Sequence, residues 1–459
     1  MSLAETSIWC RRALLASGWR ENVLLRIDDQ GTIRSITEGP AGDGGMHLAG
    51  PVVPGMPNLH SHGFQRLMAG LTGARDQGTD SFWGWREAMY AIANRLTPRQ
   101  LGDCTAWLYS EMLCAGYTAC AEFHYLHHQP GGQAYGQRAE MSLRVLAAAD
   151  EVGIGLTLLP VLYQTAGFGK QQAEAQQARF LNSLDEYFDL LDDCRQAVVQ
   201  NPLHWLGVAP HSLRAVPAES LARLISGLPD AAMPVHIHIA EQPAEVEDSL
   251  QALGARPVQW LLDHAPVDGR WCLVHATHMD AEERRRAAAS GAVAGLCPTT
   301  EADLGDGYFE TGAWLQAGGR FGVGSDSNLR VSVSEELRLL EFSARLRSGQ
   351  RNVLRSGDRQ CGRFLYEHTA LAGARALGQP VGQLAPGLRA DLVELDAAHP
   401  MLAGRLDDDV LESLVFAGGR DMVRTVLVAG RVVVEEGRHL QSDRLRGRFL
   451  ETVNSLRKT

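Results

Sequence analysis

Eight short apolar runs, each trailed by a longer segment of helical periodicity, recur between residues 52 and 328. They are VVPGMPN (52–58), TACAEFH (118–124), IGLTLLPVL (154–162), HWLGVAPHS (204–212), PVHIHIAE (234–241), WCLVHAT (271–277), AVAGLCPTT (292–300) and RFGVGSDSN (320–328). Strands that are apolar throughout, rather than alternating, are covered on both faces. Strands interleaved with helices form parallel sheets, so the chain is of the α/β class. Eight such units predict a TIM-type (β/α)8 barrel, and several runs carry polar residues at the C-terminal end, where that fold places its active site. An open doubly wound sheet is the rival arrangement. The Gly-x-Gly-x-x-Gly turn expected after its first strand is absent.

The flanks have a different texture. NVLLRIDDQGTIRSI (22–36) reads as two strands joined by a turn at Asp28–Gly31. ADLVELD (390–396) and VRTVLVAGRVVVEEG (423–437), with a turn at Ala429-Gly430, repeat that texture near the other end. Both chain termini are therefore expected to build one small β-sandwich domain. The predicted division is 1–51 and 379–459 for that domain and 52–378 for the barrel.

A net charge of -11 argues against nucleic acid and acidic membrane surfaces as partners. No apolar run approaches the roughly 20 residues of a membrane span. ALLASGW near the start, bracketed by arginines, is too short for a secretory signal. The eight cysteines are scattered without a CxxC pair, which suits buried thiols in a reducing compartment. A soluble, cytoplasmic protein is expected. The only lysines are Lys170 and Lys458, so a binuclear site bridged by a modified lysine is not expected.

Histidines collect at the run ends. His60 and His62, in LHSH, are alternate residues of a strand and share a face. In HIHIAE, His238 lies nearer the C-terminal mouth and His236 one layer deeper, where a hydrogen-bonded core histidine is the simpler reading. Glu241 follows just past the strand end. In LVHATH, His275 ends the strand and His278 falls in the loop beyond. Asp326 in GSDSN could merely cap a helix, but it stands at the mouth-facing end of the last strand, against His60 and His62. This ordered set predicts one divalent metal held by His60, His62, His238 and Asp326. Three imidazoles and a carboxylate suit zinc first and iron(II) second. Such an ion acidifies water; Asp326 can accept the proton, Glu241 can carry it to a leaving nitrogen, and His275 can donate to the developing tetrahedral centre. Neither H-E-x-x-H nor the H-x-E with P-C-x-x-C pattern is present.

HSH, HIAE, LVHATH and GSDSN, together with PGLRADLVELD after the barrel, resemble the amidohydrolase superfamily in its mononuclear deaminase branch. NLHSHGFQRLMAGL, DSFWGWREAMY (80–90) and APHSLRAVP resemble the formimidoylglutamate deiminase family within it. That resemblance implies hydrolysis of N-formimino-L-glutamate to N-formyl-L-glutamate and ammonia in histidine degradation, and a homodimer. It also implies that Arg86 and Arg214 read the carboxylates of a small dicarboxylate substrate, a task that suits the arginine fork. Gln65, Tyr125 and His211 are the neutral partners it implies. The alternatives are deamination of a heterocycle such as guanine or an adenosine derivative, and a non-catalytic barrel serving assembly. His124, His127 and His128 read as loop or solvent histidines, and His204 begins a strand at the wrong end for chemistry.

Overall fold

The computed structural model describes residues 6–41, 45–71 and 82–457. Strands β1 (Thr6–Leu15), β2 (Gly18–Ile27), β3 (Ile33–Glu38) and β4 (Met46–Pro54) come first. The interior strands follow: β5 (Met56–Ser61), β6 (Tyr117–His124), β7 (Gly155–Leu162), β8 (His204–Leu206), β9 (Ala209–Pro210), β10 (Val235–Ile239), β11 (Trp271–His275), β12 (Val293–Leu296) and β13 (Arg320–Val323). β14 (Leu392–Leu395), β15 (Val423–Val428), β16 (Arg431–Glu435) and β17 (Arg438–His439) complete the set.

β5 to β8 pair in parallel in chain order, with β9 also on β7, and β10 to β13 form a second parallel sheet. Parallel bridges Val208–Val235 and Ser61–Asp326 span the two seams between these sheets. Every residue of β5, β6, β7, β10, β11 and β12 is buried, as the unbroken apolar runs predict for strands covered on both faces. The fourth run departs from expectation, because it breaks into β8 and β9 instead of forming one strand. Gly207 lies at the break, where a Cβ would meet Leu159 Cδ2 at 2.6 Å and the Pro234 carbonyl at 2.8 Å. The chain is squeezed there between its two neighbouring strands, and glycine is what fits.

The flanking strands form one eight-stranded sheet, in the order β17-β16-β15-β14-β4-β1-β2-β3, where a two-sheet sandwich was expected. The halves from the two chain ends meet at the antiparallel β4–β14 pair. β4 runs on to Pro54 within this sheet, across the 51/52 boundary expected from the sequence. Alternation along a strand reports which face is buried, but not how many sheets share the strands. The sheet has its own core, with Ile8, Val23, Leu25, Leu392 and Leu427 among its members.

One buried carboxyl ties the helices at the strand ends together. Glu336, in the helix Val333–Ser348, accepts hydrogen bonds from the Thr299 N–H at 2.9 Å and the Thr299 hydroxyl at 2.6 Å. It thereby caps the helix Pro298–Leu304. Burial pushes its pKa up to about 8. The folded chain then holds a proton that the unfolded chain releases above its ordinary carboxyl range. This contribution to stability is complete below that range and is lost as pH rises towards 8, with a slope of at most about 1.4 kcal/mol per pH unit. Melting curves between pH 5 and 8 should therefore fall less steeply for Glu336→Gln than for the parent chain. Parallel curves would show that Glu336 carries no extra proton.

Candidate metal centre and substrate pocket

The interior strands bring His60, His62, His238 and Asp326 to one point. Their ligand atoms all lie within 4.8 Å of one another. His60 Nε2 is 3.1 Å from His62 Nε2 and 3.0 Å from His238 Nε2, and Asp326 Oδ1 is 3.4 Å and 3.3 Å from the Nε2 atoms of His60 and His62. All four side chains are buried.

Local chemistry explains why the last strand ends in GSDSN. A Cβ on Gly324 would lie 2.8 Å from the His60 backbone, so the chain passes β5 too closely for a side chain. The backbones of His60, His62 and Asp326 then exchange hydrogen bonds of 2.9 and 3.1 Å, which fix the carboxylate beside the imidazoles. Asp326 and Asn328 both adopt left-handed backbone, with φ of +43° and +58°. The Asn328 amide donates to the carbonyls of Asp326 (2.9 Å) and His62 (3.0 Å), and so holds the strained turn closed.

The donor set fits a divalent cation. His62 Nδ1 faces the Phe123 carbonyl at 2.9 Å, and His238 Nδ1 faces the His211 carbonyl at 3.3 Å. A carbonyl only accepts, so each Nδ1 carries the ring proton and each Nε2 presents a lone pair. Both lone pairs point at His60 Nε2, and a single imidazole hydrogen could serve only one of them. Burial pushes the His60 pKa down to about 3 and that of His238 well below its ordinary value, so added protons are no remedy. A cation at the common point satisfies all of them.

Proton-handling groups stand next to this cluster. His275 Nδ1 lies 3.3 Å from Glu301 Oε1, while its Nε2 lies 3.7 Å from Glu241 Oε1 and 3.9 Å from Asp326 Oδ2. Burial opposes a charge on His275, but these three carboxylates hold its pKa well above the ordinary value. Glu245 accepts the backbone N–H groups of Ala240 (3.1 Å) and Glu241 (3.0 Å), which sets the turn that carries Glu241. Ala240, His275 and Ala276 share left-handed backbone, so strain gathers at the strand ends that face the pocket.

His62, His238, Asp326, Glu241 and His275 line one end of a single pocket, with Gln65, Arg86, Tyr125, His211 and Arg214 in the same wall. Every site residue expected from the sequence is thus brought together, with His60 buried behind that surface. Gln65 Nε2 donates to the Tyr125 hydroxyl at 2.8 Å, and Arg86 Nε to the Tyr90 hydroxyl at 2.7 Å. Asp80 and Ser81 of the tryptophan-rich motif lie outside the described residues, as does Lys458. Lys170 pairs with Glu219 at the surface. His236 is a core residue whose Nε2 faces the Ala376 carbonyl at 2.8 Å, and His278 faces the Asp306 carbonyl from its loop. All eight cysteines are free thiols.

One expectation is corrected. His124, His127 and His128 are buried, not in solvent. The segment around Ala175–Phe180 covers them: the wholly buried Arg179 donates to the His128 carbonyl at 2.7 Å, and His128 Nε2 meets the Leu181 carbonyl at 2.8 Å. Sequence reasoning also missed Glu301, Glu245 and Asn328. Their roles rest on contacts to turns and loops that no local pattern marks.

Parallel strands whose C-terminal ends converge on a metal-type cluster, with a carboxyl group and an imidazole alongside, are the arrangement of a metal-dependent hydrolase. Residues 52–433 match the amidohydrolase family, and residues 5–49 match the N-terminal domain described for formimidoylglutamate deiminase HutF. The chain belongs to the amidohydrolase family. It is 50% identical to a formimidoylglutamate deiminase of Pseudomonas aeruginosa, over 98% of this chain and 99% of that protein. It is 28% identical to an 8-oxoguanine deaminase of the same species, over 84% of this chain and 82% of that one. The crystal structure of an amidohydrolase from Brucella melitensis superposes with a TM-score of 0.93 at 45% identity, covering 98% of this chain and 99% of the other.

Proposed function

We propose that this chain hydrolyses N-formimino-L-glutamate to N-formyl-L-glutamate and ammonia in histidine degradation. The observation that carries the reading is the placement of two arginines, Arg86 and Arg214, in the pocket that holds the hydrolytic cluster. A substrate with two carboxylates and one amidine-like carbon matches that division of labour. Identity to the Pseudomonas deiminase across nearly the whole chain supports it.

His60, His62, His238 and Asp326 would hold one divalent ion, zinc before iron(II) on the chemistry of the donor set. When bound, such an ion supplies Lewis-acid activation of water. Asp326 accepts the proton of the attacking water, and Glu241 carries a proton to the nitrogen that departs as ammonia. His275 donates a hydrogen bond to the attacking oxygen as the carbon becomes tetrahedral. Arg86, Arg214, Gln65, Tyr125 and His211 bind and orient the dicarboxylate. The reading includes a closed (β/α)8 barrel over roughly the 52–378 span, its first boundary moved to the end of β4, and a small β-domain from the two termini. It extends to a homodimer, as the family resemblance implies, and to a cytoplasmic location, on the scattered unpaired cysteines. No described helix is long and apolar enough to cross a membrane.

The second reading is deamination of a heterocycle, favoured by the likeness to the 8-oxoguanine deaminase. Ammonia release decides between them. It is expected from N-formimino-L-glutamate and not from guanine or adenosine derivatives. Arg86→Met should raise KM by about tenfold or more, the loss of a charge-assisted hydrogen bond, with metal content unchanged. Release from the heterocycles alone would overturn the proposal. A non-catalytic barrel would release ammonia from none of them.

A further inference from the structure

One buried polar network in the pocket wall takes no part in the mechanism above. Gln177, in the turn Ala175–Phe180, is completely buried. Its side-chain oxygen accepts the Glu174 backbone N–H at 2.8 Å. That N–H can only donate, so it fixes which end of the amide is oxygen and directs Nε2 the other way. Nε2 donates to the Tyr90 hydroxyl at 3.1 Å and the Tyr163 hydroxyl at 2.9 Å. Both tyrosines line the substrate pocket.

A phenol offers one hydrogen and two lone pairs. The Tyr90 oxygen accepts from Arg86 Nε as well as from Gln177, which occupies both lone pairs and leaves O–H donation as its remaining capacity. Gln177 imposes the same acceptor role towards itself on Tyr163. Burial pushes the Tyr90 phenol above its ordinary pKa, so the hydrogen stays on at neutral pH.

Tyr163 stands one ring further from the metal cluster than His211, and Tyr90 two rings further than Tyr125. Tyr163 packs on His211 with centroids 4.7 Å apart, and His211 packs on His238 at 5.0 Å. By a second path Tyr90 meets Phe180 at 5.9 Å, Phe180 meets Tyr125 at 5.1 Å, and Tyr125 meets His62 at 5.1 Å. They therefore face the end of the substrate remote from the bond that breaks.

We propose that Tyr90 and Tyr163 form, with Arg86, a hydrogen-bond-donating subsite for the side-chain carboxylate of the substrate, and that Gln177 is the positioning residue that turns the phenol hydrogens towards it. The proposal rests on the N-formimino-L-glutamate reading and refines it. A subsite in which Arg86 and Tyr90 present only hydrogens, with a further hydrogen from Tyr163, suits an anion and is a poor match for a carboxamide, whose NH2 would oppose them.

Steady-state ammonia release tests this, with N-formimino-L-glutamate compared against its carboxamide analogue N-formimino-L-glutamine. Tyr90→Phe and Tyr163→Phe keep the rings and remove only the hydroxyls. Each should raise KM for the dicarboxylate by about tenfold, mostly in KM rather than kcat, and change KM for the carboxamide by less than about twofold. Gln177→Glu keeps the acceptor for Glu174 but turns a second carboxylate oxygen towards both phenols. It should raise KM for the dicarboxylate further. If that variant does not fold, the two phenylalanine variants decide. Unchanged KM in both phenylalanine variants, or equal losses on the two substrates, would overturn the subsite. If the parent chain releases no ammonia from N-formimino-L-glutamate at all, the substrate assignment itself fails.

Discussion

Replacing Glu241 with glutamine is expected to lower turnover of N-formimino-L-glutamate by about a thousandfold while leaving the metal content at the parent level. General acid–base groups typically contribute about 10²–10⁴ in rate. Glu241 has the place for such a role: its carboxylate lies 3.7 Å from His275, lines the pocket, and is outside the four-residue ligand cluster. Glutamine has the same shape but cannot take up and release a proton. The turn should survive, because Glu245 holds it through the backbone N–H groups of Ala240 and Glu241, which the substitution leaves intact. Kinetics and metal analysis on the same preparation check the result. Turnover above about a tenth of the parent would remove Glu241 from proton transfer, and a matching loss of metal would make it a ligand instead.

Glu241 also shows what a sequence of this kind makes legible. Unbroken apolar runs announced strands buried on both faces, and each ligand could be placed by its distance from the end of its run. His238 was separated from His236 by one layer on that reasoning, and His236 indeed faces the Ala376 carbonyl in the core. What stayed hidden depends on contacts between distant segments. His124, His127 and His128 look exposed to solvent until the segment around Arg179 closes over them. Gln177 sits in an unremarkable polar stretch, and its partner Tyr90 is 87 residues away in sequence. β1 was missed because Arg11 and Arg12 interrupt its apolar pattern, although it pairs with both β2 and β4. The break at Gly207 arises from crowding by Leu159 and Pro234, which no reading of residues 204–212 alone could supply.

Removing the metal should change stability as well as activity, because the cluster is electrostatically incomplete without a cation. Imidazole lone pairs 3.0–3.1 Å apart repel across a buried site, and the low pKa of His60 shows that protonation there is unfavourable. A ligand that binds only the folded state adds about 4 kcal/mol when its free concentration is a thousand times its dissociation constant. For a chain of this length that corresponds to a melting temperature higher by several degrees. Chelation should therefore abolish ammonia release and lower the melting temperature, and added zinc should restore both. His62→Ala should bind little metal, lose activity by about a thousandfold or more, and show no change in melting temperature when zinc is added. His236→Ala provides the contrast, since it lies in the same strand as His238 but one layer deeper. It should lower stability through its lost packing and hydrogen bond, yet keep its metal. If chelation left both activity and melting temperature intact, or if His236→Ala lost metal as completely as His62→Ala, then His60, His62, His238 and Asp326 would not be the metal ligands.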